Sequence, residues 1–171
     1  PTRRSSDLKT FHLADHTFFR SLKRCPVIIN TSRGEVIETN ALLNALEDGL
    51  ISDAIIDVWE NEPDINLTLL NRVFLGTPHI AGYSADGKAN ATRMSLDALC
   101  RFFHIKADYR IAPPQPRNPI ITADSLAEAY LQMYDPRRDS ETLKTHPEQF
   151  EKLRGDYPLR REKDAYTYIP K

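Results

Sequence analysis

The stretch Pro26-Val27-Ile28-Ile29-Asn30-Thr31-Ser32-Arg33-Gly34 decides the fold. Pro26 stops any helix that reaches it, and Val27, Ile28 and Ile29 form a β-branched run too short for a helix. A short run that is apolar at consecutive positions is a strand buried on both faces, and the polar residues from Asn30 onward mark its carboxyl end. Ala54-Ile55-Ile56-Asp57-Val58 repeats the pattern, and Val73-Phe74-Leu75 gives a third strand. Between the first two, Asn40 caps a predicted helix over 41–48 that Gly49 closes at the C′ position. Upstream, Leu13, Phe18, Phe19 and Leu22 predict a helix over 13–22, with Asp15 near its start. Short apolar strands alternating with helices define an α/β fold with a parallel sheet covered on both faces. In such sheets the chemistry gathers at the carboxyl ends of the strands.

Toward the carboxyl end, Ala85, Ala89, Thr92, Leu96, Leu99 and Phe103 fit one long helix over 84–103. Pro113, Pro114, Pro116 and Pro119 then make a stiff, extended linker. Beyond it, helices are predicted over 125–134 and 148–154 with a break at Pro136, and the alternation Tyr166-Thr167-Tyr168-Ile169 reads as a strand. A tail of about fifty residues is too small to be stable comfortably alone, so it is expected to pack on a partner.

Composition narrows the function. The 171 residues carry 23 Lys+Arg against 24 Asp+Glu, and the balance is equally even on either side of residue 110. That gives no field for nucleic acid or an anionic membrane. No run approaches the ~18 consecutive apolar residues of a membrane span. Cys25 and Cys100 form neither a metal-ligand spacing nor a disulfide framework, so no metal is expected and a reducing, cytoplasmic setting is the default. Of the six glycines no two are separated by a single residue, which excludes both G-x-G-x-x-G and the P-loop from this chain.

Three polar clusters fall at the predicted strand ends. Arg33 follows the first strand and precedes Gly34, and its planar fork of donors suits a carboxylate better than Lys would. Glu62 lies in the loop after the second strand and His79 in the loop after the third. A carboxylate beside an imidazole fixes its tautomer and favours its charged form, as a proton-transfer group near neutral pH requires. Taken singly, Arg33 reads as a surface arginine and His79 as a structural histidine. Together at successive strand ends they suggest oxidation or hydration chemistry on a small acid.

Asn30-Thr31-Ser32-Arg33-Gly34-Glu35-Val36-Ile37-Glu38, Asp57-Val58-Trp59-Glu60-Asn61-Glu62-Pro63 and Thr77-Pro78-His79-Ile80-Ala81-Gly82-Tyr83 resemble, in order and spacing, the closing motifs of the D-isomer-specific 2-hydroxyacid dehydrogenases. Within that family, His79 to Ser84 with Gly87-Lys88 resembles the branch that oxidises 4-phospho-D-erythronate to 2-oxo-3-hydroxy-4-phosphobutanoate with NAD in vitamin B6 synthesis. The tail, with Tyr134-Asp135-Pro136-Arg137-Arg138-Asp139 and Tyr157-Pro158-Leu159-Arg160-Arg161-Glu162, resembles the C-terminal dimerisation domain of that branch.

The resemblance implies a role for each matching residue. Arg33 would clamp the substrate carboxylate and polarise the C2 oxygen, His79 would take the C2 hydroxyl proton, and Glu62 would orient His79. Asp57, Gly82, Thr31 and Ser32 would lie at the NAD site, with Asp57 bonding the nicotinamide carboxamide. Tyr83 would contact substrate. Lys88, close after Tyr83, is a candidate for the 4-phosphate, as are Arg137 and Arg138, for which a structural salt bridge is the competing reading. The expected organisation is a non-native leader over 1–8, the C-terminal part of a Rossmann-like doubly wound sheet over 9–104, a linker over 105–119, and a small α+β homodimerisation domain over 120–171. Since family members begin with a substrate-binding lobe and a glycine-rich Rossmann unit, this stretch by itself is expected to bind NAD poorly and to be inactive. The alternatives are a sibling dehydrogenase acting on phosphoglycerate, glyoxylate or hydroxypyruvate, and a non-catalytic module that dimerises or senses a dinucleotide.

Overall fold

The computed structural model describes residues 9–171; the expected leader over 1–8 lies outside the described residues. The chain divides into two compact units. The first runs to Ala81 and takes in Pro136–Asp156, and the second comprises Gly82–Asp135 with Tyr157–Lys171.

The first unit holds the three-stranded parallel sheet. Strands β1 (Val27–Asn30), β2 (Asp53–Ile56) and β3 (Leu75–Gly76) lie in that order, with Ile29 opposite Ile55 and Ile55 opposite Leu75. Helix α2 (Thr39–Glu47) makes the first crossover and α3 (Leu67–Arg72) the second. The apolar face of α2, Ala41, Leu42, Ala45 and Leu46, is buried with Ala54 and Ile56 of β2 and with Trp59, Leu69 and Leu70. Each large side chain removed from water there contributes about 1.5–3 kcal/mol.

Long-range contacts moved several boundaries. Helix α1 spans His16–Ser21, shorter than expected, because Ala14 pairs with Ile37 as an extended bridge. Asp15 caps it, accepting from the Phe18 N–H at 2.8 Å. Helix α2 begins at Thr39 and not after Asn40, since the Glu60 carboxylate accepts from the Thr39 N–H at 2.7 Å and so supplies the cap from across the fold. Gly49 sits at φ 67°, the left-handed turn expected of it. The expected third strand starts later, because Val73 closes α3 by donating its N–H to the Leu69 carbonyl.

The largest difference lies in the tail. Pro136 opens a helix, α6 (Pro136–Thr145), where its missing N–H costs nothing. α6 and the following α7 (Phe150–Gly155) pack in the first unit, while the rest of 120–171 lies in the second. The reason is the open edge of β3. Ser140 Oγ accepts from the Gly76 N–H at 3.0 Å, and Lys144 Nζ donates to the Val73 carbonyl at 2.8 Å. Leu143 and Phe150, 0% and 1% exposed, complete the core around the sheet.

In the second unit, helix α4 (Ala85–Phe103) starts at the Ser84 cap, whose hydroxyl accepts from the Gly87 N–H. Asp86 in its first turn forms a two-bond ion pair with Arg161 and also accepts from the Glu162 N–H. Strand β4 (Ile120–Ala123) pairs in parallel with β5 (Thr167–Pro170), and α5 (Leu126–Met133) packs Ala129 onto them. The terminal alternation is thus a strand, and its partner β4 begins directly after Pro119, at the end of the stretch expected as a linker.

Candidate active site

Two buried polar residues, Asn30 and Asp57, organise the loops at the strand ends. At the end of β1, Asn30 is 5% exposed; its amide donates to the Arg33 carbonyl at 2.9 Å and its oxygen accepts from the Ser32 N–H and hydroxyl. That turns the loop and leaves Thr31, Ser32 and the Arg33 guanidinium exposed. One guanidinium nitrogen of Arg33 donates to the Ser32 carbonyl at 2.7 Å.

After β2, Asp57 is 3% exposed and binds the loop that follows β3. Its Oδ1 accepts from the Thr77 hydroxyl and the Ile80 N–H, both at 2.7 Å, and its Oδ2 accepts from the Ala81 N–H at 3.0 Å. These bonds hold the loop in which His79 sits at φ 56°, a left-handed conformation disfavoured for a bulky residue and retained where surroundings over-determine it.

His79 Nδ1 lies 2.7 Å from Glu62 Oε2, and Glu62 Oε1 accepts from the Trp59 N–H at 2.9 Å. The pair is partly buried, with side chains 23% and 17% exposed. With Glu62 ionised, the Nδ1 proton is held against the carboxylate and Nε2 carries the lone pair that can accept a proton. One turn away, Glu60 bonds His12 Nε2 at 2.6 Å as well as the Thr39 N–H. Partial burial alone would raise the Glu60 carboxyl, but the hydrogen bonds from Thr39 and His12 outweigh it and hold it below the ordinary glutamate value.

The structure therefore brings Arg33, Asp57, Glu62 and His79 to the strand ends of one sheet. Gly82, Tyr83 and Lys88 fall in the second unit. A Cβ at Gly82 would meet nothing within 4 Å, so the chain itself does not require glycine there. Lys88 Nζ lies 4.6 Å from the centre of the Tyr83 ring, and Tyr83 meets Tyr157 edge to face. Sequence reasoning missed Asn30 and Glu60 as builders of the site, although Asn30 stands immediately beside Arg33's loop. Among the described residues no group of His, Cys, Asp and Glu could hold a metal ion, and no helix is long and apolar enough to cross a membrane.

Residues 5–81 match the D-isomer specific 2-hydroxyacid dehydrogenase NAD binding domain. The parallel sheet with Arg33, Glu62 and His79 at its strand ends lies within that matched stretch. In particular, the chain is 66% identical over 99% of its length to erythronate-4-phosphate dehydrogenase of Bacteroides thetaiotaomicron, covering 49% of that protein. It is 40% identical over 94% of its length to the enzyme of the same name from Porphyromonas gingivalis, covering 46% of it. The chain thus spans about half the length of the curated relatives it matches. Residues 116–170 match a domain of unknown function. Among solved structures, the holo form of Rhodotorula graminis D-mandelate dehydrogenase superposes with a TM-score of 0.50 at 32% identity, over 61% of this chain and 32% of that one.

Proposed function

We propose that a protein carrying this chain oxidises a phosphorylated 2-hydroxy acid, 4-phospho-D-erythronate, to the corresponding 2-oxo acid in vitamin B6 synthesis, with NAD as cofactor. The carrying observation is the His79–Glu62 contact at 2.7 Å, with Arg33 at a strand end of the same sheet. NAD, when bound, supplies the acceptor for the hydride that leaves C2. Thr31, Ser32, Asp57 and Gly82 are the proposed cofactor-binding residues, with Asp57 on the nicotinamide carboxamide. The chemistry fits in part: Asp57 is a fixed carboxylate at a strand end, while the chain offers no glycine-rich turn for a pyrophosphate.

The chain's own residues handle the acid and the proton. The Arg33 fork pairs with the substrate carboxylate and polarises the C2 oxygen. The C2 hydroxyl proton passes to His79 Nε2, and Glu62 stabilises the imidazolium through Nδ1–H. Tyr83 contacts substrate, and Lys88 contributes charge to the 4-phosphate. Homodimerisation through the C-terminal region, in the cytoplasm, belongs to the same reading; exposed Ile120, Leu126, Leu131 and Ile169 leave apolar surface there for a second copy to cover.

The test is NADH formation by a longer protein that carries this sequence, against 4-phospho-D-erythronate, 3-phosphoglycerate, glyoxylate and hydroxypyruvate. Preference for the first, lost in His79→Asn, is the expected result. Preference for another acid would move the assignment to a sibling dehydrogenase, and no turnover with any would favour a non-catalytic module. The 171-residue chain by itself is expected to show no turnover and weak NADH binding.

A further inference from the structure

We propose that Glu60, braced by His12, is a positioning residue that sets the geometry of the Glu62–His79 pair; its catalytic meaning rests on the dehydrogenase reading above. The turn over 59–62 is held on every side. Its Trp59 carbonyl abuts Gly34, so close that a Cβ there would lie 1.9 Å from the oxygen, and Gly34 is the neighbour of Arg33. The Trp59 indole donates to the Thr77 carbonyl at 2.9 Å, two residues before His79. Inside the turn, Glu62 Oε1 takes the Trp59 N–H while Oε2 takes His79.

Between those two contacts stands Glu60, with both oxygens committed elsewhere: Oε1 to His12 Nε2 and Oε2 to the Thr39 N–H. His12 is itself fixed, at φ 50°, with its N–H donating to the Glu35 carbonyl at 2.7 Å and its ring stacked on Phe11. A single carboxylate therefore ties the turn to the segment before β1 and to the start of α2. Asn61, at φ 62°, then reverses the chain so that Glu60 and Glu62 serve different histidines. Freed from His12 and Thr39, the turn keeps its Glu62–Trp59 closure and the Trp59 contacts with Gly34 and Thr77, but the residue between Trp59 and Glu62 loses its anchor, and with it the Glu62 carboxylate loses its fixed distance from His79. A second His–carboxylate pair outside the reacting set thereby fixes the first, as a supporting layer must when a site depends on sub-ångström placement.

The test uses the 171-residue chain with ¹⁵N-labelled histidine and follows exchange of the His79 Nδ1 proton with water, assigned by its loss in His79→Asn. Glu62→Gln sets the scale for a broken pair. Glu60→Gln and His12→Ala are each expected to speed that exchange by about tenfold, with the β2 amides at wild-type rates, as local opening without global unfolding does. His12→Gln, which keeps a donor for Glu60, is expected to restore slow exchange. Should Glu60→Gln fail to fold, the two His12 variants decide alone. Wild-type exchange in Glu60→Gln and His12→Ala with fast exchange in Glu62→Gln would overturn the positioning role and leave the dehydrogenase reading standing. Wild-type exchange in Glu62→Gln would overturn the Glu62–His79 pair, and both readings with it.

Discussion

Gly34 and Trp59 meet backbone to backbone, with no room for a Cβ between the Gly34 Cα and the Trp59 carbonyl: that atom would lie 1.9 Å from the oxygen and 2.1 Å from its carbon. The loop that presents Arg33 and the turn that presents Glu62 are therefore fitted against each other without an intervening side chain. Gly34→Ala must push the two apart, because the obstacle is backbone and cannot rotate away. It is expected to cost about 1–3 kcal/mol in urea unfolding, the range for overpacking. An unchanged unfolding midpoint would show slack in the loop.

In an active enzyme carrying this sequence, His79→Asn, Glu62→Gln and Arg33→Lys are each expected to lower kcat by about 100-fold or more, the scale for removing a positioned proton acceptor or charge clamp. Arg33→Lys tests the bidentate fork rather than the charge, since a lysine keeps the charge as a single point. Steady-state kinetics with near-normal turnover in any of the three would remove that residue from the reacting set.

Helices α6 and α7 are expected to be inseparable from the sheet. Leu143, fully buried against it, should cost about 2–5 kcal/mol as Leu143→Ala. Ser140→Ala leaves the Gly76 N–H without its partner and is expected to cost about 1–3 kcal/mol. Hydrogen exchange should show β3 amides losing protection first in both. Wild-type protection of β3 in Leu143→Ala would detach the segment from the unit.

Acid should loosen the second unit through Asp86. The Arg161 hydrogen bonds hold its carboxyl below the ordinary aspartate value; burial opposes them, and the Glu162 N–H adds to them. A carboxyl depressed in the folded state stabilises above its ordinary value and loses that contribution as pH falls through the folded value, here below about pH 4. Asp86→Asn is expected to flatten the acid limb of a thermal stability profile and to cost on the order of 1 kcal/mol at neutral pH, since the pair is only partly shielded from solvent. An acid limb as steep as the wild type's would assign the acid sensitivity to another carboxyl.

The strands around Ile28, Ile55 and Leu75, the Gly49 turn, the long helix after Ser84 and the clustering of Arg33, Glu62 and His79 were legible from the sequence by itself. The strands, the turn and the helix depend on spacing within a few residues, where side-chain periodicity and backbone sterics act locally, and the three residues follow from where the strands end. Only the tertiary structure decided that Glu60 caps α2 from twenty-one residues away, that Asp57 organises the His79 loop, and that Ser140, Leu143 and Phe150 close the edge of β3. A strand has to satisfy its edge and a helix its first N–H groups with whatever the fold brings near. Partners separated by tens of residues leave no periodic trace in the sequence, so that choice becomes visible only once the chain has folded.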